Sequence, residues 1–277
     1  MLGHNNHFLI TIMVGLDAVA RGDAHLSKEF STIWAPRDAT QSARRSREFA
    51  CKALAAWLTD SIAAYINNLS ASPSIITDSA LAATMEAGRS VGDKIRALAV
   101  ACGQEADAST LLVRVGVIWR NRLVHYQATN PISRALADAL LACRQEITSD
   151  YQGLDVARLL DSAGRSHAPT FKEVTSLVRA AHKFVEQVDG QLLGRSDLNI
   201  YVMNILSHYI STSPAERTSN VWGKDDRRRL ASLVQICKQY GMTEPNHETL
   251  NRTSEHLLQE ISSWTPTRAK AELCVRT

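Results

Sequence analysis

Apolar residues fall along this chain in helical stretches, separated by short segments rich in Gly, Pro, Ser and Thr. Residues 8–22 read as a short helix, with Ile12, Val14, Leu16, Val19 and Ala20 giving a broad apolar face. Ala35-Pro36-Arg37-Asp38 interrupts the pattern. A long helix then runs from about Gln41 to Leu69 through Leu54, Trp57, Leu58, Ile62, Tyr65 and Ile66, and stops in Ser70-Ala71-Ser72-Pro73-Ser74. An element that long has to be central to the packing. Residues 78–102 form the next helix, capped by Asp78 or Ser79, with Leu81, Met85, Val91, Ile95, Leu98 and Ala99 as core positions. Gly88 and Gly92 predict a kink or break inside it, and Cys102-Gly103 stops it.

After Gly103, Asp107 or Ser109 can cap a helix that is apolar nearly all round, through Leu111, Leu112, Val115, Val117, Ile118, Trp119, Leu123 and Val124. Such a helix belongs in the middle of a bundle, with only its C-terminal end reaching solvent. Asn130-Pro131 is expected to end it. One helix is expected over 132–149, a short one over 154–160, and a longer one from Phe171 to Leu193, where Thr170 and Glu173 make a capping box. Three more helical stretches follow, at about 197–211, 224–240 and 247–264. Ser211-Thr212-Ser213-Pro214 and Thr243-Glu244-Pro245 serve as linkers, and the tail after Thr265-Pro266 is expected to fray.

Composition agrees with an all-α class: only 13 Gly and 7 Pro stand in 277 residues. The 45% hydrophobic and 21% charged content is that of an ordinary globular protein. The formal charge of +3 excludes a strongly basic, non-specific nucleic-acid binder, so any RNA contact has to be local. Cys51, Cys102, Cys143, Cys237 and Cys274 are too far apart in sequence for a CxxC metal or redox pair and read as reduced thiols. His and acidic residues show no metal-ligand spacing, and no glycine-rich phosphate loop exists, so no metal and no cofactor are expected. The apolar start of the chain has no basic residues before it and Asp17 and Arg21 after it, which argues against a signal peptide. No uninterrupted apolar run approaches the twenty or so residues of a membrane span, and the expected location is the cytoplasm.

The chemistry concentrates in Arg120-Asn121-Arg122-Leu123-Val124-His125. A permanent guanidinium can hold a phosphate oxygen, and an imidazole can take or give a proton near neutral pH. Together they suit phosphodiester cleavage without a metal. The arrangement resembles the Arg-Asn-x-x-x-His motif of HEPN domains, all-helical modules of which many are endoribonucleases in toxin systems, phage defence and RNA processing. Its setting is similar too, with a helix through Val91 to Leu98 ending near Gly103 and the motif in the last turns of the next helix. The likeness covers roughly residues 8–190. It implies a HEPN-like bundle over 1–195 with a helical extension over 196–277. It also implies a metal-independent endoribonuclease that leaves 2′,3′-cyclic phosphate ends on single-stranded RNA.

On this resemblance His125 is the proton-transfer group, Arg120 stabilises the transition state, Asn121 orients His125 or the sugar, and Arg122 contacts phosphate. On a straight helix Arg120 lies about 140° round from His125, so one chain does not obviously aim both at one phosphate. The family's pairing of two motifs across a cleft implies a homodimer. Arg44, Arg45 and Arg47 form a basic cluster suited to RNA. A second, Arg227 to Arg229 behind Lys224, stands beside Asp225 and Asp226 and reads as a solvated helix end. Glu48 and Tyr126 are candidates to support the motif. Tyr126 directly follows the histidine, whereas toxins silenced by tyrosine modification carry a Tyr two residues after it, which argues against that form of silencing. An antitoxin or another defence-system protein is a further partner consistent with the resemblance. Two other readings stay open: the same fold binding RNA or a partner protein without cutting, and a structural helical domain in which the motif is coincidence.

Overall fold

A computed structural model describes residues 2–24, 34, 36–125, 130–240, 242 and 256–274. They are helical with no strand among them, in keeping with the all-α expectation. In chain order the helices are α1 (Leu2–Arg21), α2 (Ala39–Ser70), α3 (Ser79–Ala87), α4 (Val91–Ala101), α5 (Ala108–Val124), α6 (Arg134–Ala142) and α7 (Arg144–Asp150). There follow α8 (Val156–Gly164), α9 (Phe171–Arg195), α10 (Leu198–Ser211), α11 (Pro214–Trp222), α12 (Asp226–Gln239), α13 (256–262) and α14 (Pro266–Cys274). The chain divides into two compact units, one of residues 1–66 and 87–189 and the other of 67–86 and 190–277.

In the first unit α5 is the hub. Residues Ala108 to Val113, Val115 to Val117 and Trp119 are all buried, and α5 packs against α4, α6 and α8. Gly116 of α5 faces Leu177 of α9, where a Cβ would sit in ordinary contact at 3.5 Å from the leucine side chain. Polar groups fix the N-terminal end: Ser109 Oγ donates to Gln187 Oε1 at 2.7 Å, and Gln187 Nε2 donates to Asp107 Oδ2 at 3.1 Å. Asp107 therefore spends its carboxylate on Gln187 rather than on capping α5. The Thr170–Glu173 capping box forms as expected, with both the amide and the hydroxyl of Thr170 donating to Glu173 Oε2.

Several boundaries differ from the expected ones. The break predicted at Gly88–Gly92 is present, and Ser90 and Asp93 cap the new start reciprocally. The helix expected over 132–149 divides at Cys143 into α6 and α7. The motif helix ends at Val124, before Asn130-Pro131. On α1 the inward positions are Leu9 and Met13, while Ile12 and Val14 are 46% and 63% exposed. Of the expected apolar face Leu16, Val19 and Ala20 are half-buried, and only Ile12 and Val14 are turned out, because apolar residues also flank the inward side.

Burial holds the Asp189 carboxyl above its ordinary range, while the hydroxyl of Tyr65, donating to it at 2.7 Å, works against that rise. Among the described residues one helix, α2, is long and apolar enough to cross a membrane by length and composition, and half of its apolar stretch is buried.

The second unit is a cluster around Val202, Leu206, Ile210, Trp222, Leu233 and Ile261. It contains α11, which the Ser211–Pro214 linker reading missed. It also contains α14, whose Ala269 and Leu273 are fully buried, so the tail expected to fray is packed as far as Cys274. The expected linker at Thr243–Pro245 and the first half of the expected helix over 247–264 lie outside the described residues.

Candidate functional site at the C-terminal end of α5

The last turn of α5 changes character abruptly. Trp119 is 1% exposed and donates its indole N–H to the carbonyl of His167 at 3.0 Å, while Arg120, Asn121 and Arg122 are half-buried and His125 is exposed. The polar end of the helix is thus fixed to the core by the residue that precedes it.

His125 is the C-cap. Its backbone N–H still donates to the Asn121 carbonyl at 2.9 Å, but φ −104° and ψ 105° are extended values, so its side chain leaves the helical path. This corrects the straight-helix expectation. Arg120 Nη1 lies 3.4 Å from His125 Nε2 and 3.3 Å from Asn121 Oδ1, so one chain brings all three motif side chains together. A guanidinium can only donate, so Nε2 accepts there and the neutral imidazole carries its proton on Nδ1.

The other arm of Arg120 is held from α2. Nη2 donates to Asp60 Oδ1 at 2.8 Å, with the arginine side chain 19% exposed and the aspartate 64%. Asp60 was not among the expected site residues. The Nε atoms of Arg120 and Arg122 are buried without a hydrogen-bond partner among the described residues.

The remaining candidates sit elsewhere. Glu48 is exposed on α2, about 18 Å along the helix axis from Asp60 at 1.5 Å per residue. Arg44 and Arg45 are exposed further up the same helix, and Arg47 is paired with Asp17 of α1. Tyr126 and Gln127 lie outside the described residues. In the second basic cluster Arg228 is exposed and pairs with Asp225, as a solvated helix end would, whereas Arg229 is half-buried, pairing with Asp226 and donating to the carbonyls of Lys224 and Ser262. A groove of about 670 Å³ opens between α7 and α8, lined by Leu141, Arg144, Gln145, Thr148 and Asp155, and no motif side chain lines it.

No family model, curated protein or solved structure matches the chain. The functional reading rests on the side chains themselves.

Proposed function

We propose that this chain is a HEPN-like, metal-independent endoribonuclease acting on single-stranded RNA in the cytoplasm, in a toxin or phage-defence setting. The observation that carries the reading is the 3.4 Å approach of Arg120 Nη1 to His125 Nε2 at the exposed end of α5. In the reaction the ribose 2′-hydroxyl gives its proton to His125 Nε2, its oxygen bonds to the adjacent phosphorus as the bond from phosphorus to the 5′ oxygen breaks, and the leaving oxygen takes a proton from water, to which His125 later returns its own. The products are a 2′,3′-cyclic phosphate and a 5′-hydroxyl. Arg120 neutralises charge gathering on the phosphoryl oxygens, and Asn121 orients its neighbours. Arg122 is the further phosphate contact.

A homodimer remains part of the proposal, but on different support. Since one chain already gathers the motif, the reason for pairing is the apolar surface of α1, where Phe8, Ile10, Ile12 and Val14 are each about half exposed or more. Purified protein should cut single-stranded RNA in EDTA, leave cyclic-phosphate ends and spare DNA, which lacks the 2′-hydroxyl. It should sediment above the 30.5 kDa of one chain. Failure to cut bound RNA under any salt or metal condition would favour the second reading, a non-catalytic RNA- or protein-binding module.

That second reading has its own observation: the guanidinium is occupied by Asp60, and its Nη1 covers the lone pair that has to receive the proton. In the nuclease reading a phosphate displaces Asp60. Asp60→Asn should then tighten RNA binding several-fold at low salt, an effect that fades as ionic strength rises. Titration by fluorescence anisotropy at two salt concentrations checks it, and weaker binding would make Asp60 a holder of Arg120 rather than a competitor for it.

A further inference from the structure

The exposed face of α2 ends at the motif, and it is not the face of an ordinary solvated helix. Phe49 is 73% exposed and Trp57 is 51% exposed, the former among the most open large hydrophobic side chains described. Exposed Arg45 and Lys52 alternate with them, and neither has a carboxylate partner among the described residues. On a helical wheel Arg45, Phe49, Lys52, Trp57 and Asp60 fall within an arc of about 140°, and from Arg45 to Asp60 the strip runs about 23 Å. At its end Asp60 holds the guanidinium of Arg120. Glu48 lies on the flank of the strip, about 100° round from Phe49.

We infer that this face of α2 is a track for single-stranded RNA, with Trp57 and Phe49 stacking on unpaired bases and Arg45 and Lys52 following the phosphates toward the motif. The inference rests on the RNA reading above and extends it to how the strand is held. Aromatic rings accept any base by its π-face, while flanking cations follow the backbone, which is the general recipe for binding single strands without sequence preference. A duplex keeps its bases stacked on one another and cannot use such a track. The order of the strip also assigns a direction of action: a strand anchored at Phe49 and Trp57 reaches Asp60 and Arg120 next. Trp57 stands one turn from Asp60, which places the stacked base beside the scissile phosphate.

The test uses the full-length protein and a short fluorescein-labelled 2′-O-methyl oligoribonucleotide, which cannot undergo 2′-hydroxyl attack. Trp57→Ala should weaken binding by about tenfold or more, Phe49→Ala by less, and Trp57→Phe should restore most of the loss. The paired change Arg45→Ala with Lys52→Ala should lower the slope of log affinity against log salt by about 2 while leaving the preference for single strands over duplex. All four positions are exposed, and far-UV circular dichroism checks that the variants are folded. If wild-type protein binds no RNA, the RNA reading and the track fall together. If it binds and the α2 variants bind equally well, only the track is wrong. If Trp57→Ala instead breaks a dimer into single chains on sedimentation, the face is an interface between copies and the inference is overturned.

Discussion

His125→Ala is expected to slow RNA cleavage by about 10²–10⁴-fold, the usual worth of a placed proton-transfer group, with RNA affinity close to wild type. The substitution is structurally mild. The cap of α5 is made by the backbone N–H of His125, which alanine retains, and the imidazole is exposed. Removing it also frees Arg120 Nη1 to face a phosphate, which offsets the small contact area lost. Arg120→Ala should behave differently, lowering both affinity and rate, since the guanidinium is the cation of the cluster nearest the imidazole and also the group that Asp60 anchors. Asn121→Ala should be the mildest of the three, because its amide oxygen accepts from Arg120 at a long 3.3 Å that water can replace. Single-turnover cleavage beside equilibrium binding separates these outcomes. Cleavage by His125→Ala at the wild-type rate would mean that the motif assignment is wrong.

The sequence made the motif helix readable because burial on all sides of α5 writes itself as apolar residues on all sides. The chemistry at its end was legible as residue types but not as geometry. Spacing on an ideal helix separates Arg120 from His125, and only the extended dihedrals of the C-cap bring the imidazole back. No local pattern announces that change at His125, since the stop signal the chain does carry, Asn130-Pro131, stands five residues further on. Asp60 was invisible for a related reason: its partner is sixty positions away, and only the packing of α2 beside the end of α5 makes them neighbours.

Two errors in the second unit share one cause. Pro214 was read as part of a linker and Pro266 as the start of a fraying tail, yet each stands at the first position of a helix, where a missing N–H costs nothing and the fixed φ suits the turn. The spacing of Ala269 and Leu273, one turn apart, was the signal that could have recovered α14. On α1 the reverse problem arose. Apolar residues on both flanks left the phase of the helix undetermined by periodicity, and the surplus that stays exposed is the surface assigned above to a second copy.

Trp119→Ala should produce the largest loss of stability in the first unit. The ring is 1% exposed at the end of the buried stretch of the hub helix, and truncating a buried Trp to Ala costs about 3–5 kcal/mol through lost transfer free energy and the cavity left behind. It also strips the His167 carbonyl of the N–H that reaches it at 3.0 Å, which unties the loop between α8 and α9 from α5. At this size each kcal/mol moves the melting midpoint by about 2–4 °C, so a drop of roughly ten degrees is expected. Trp119→Phe fills most of the volume but cannot donate, and its smaller loss, about 1–2 kcal/mol, isolates the hydrogen bond together with the residual void. The functional consequence follows from adjacency. Arg120 takes its direction from a backbone that Trp119 pins, so the alanine variant, assayed below its own melting midpoint, should lose cleavage as well as stability, whereas the phenylalanine variant should keep most of both. Circular-dichroism melts beside cleavage assays check this. A melting midpoint for Trp119→Ala indistinguishable from wild type would mean that the ring does not carry the packing around the end of α5.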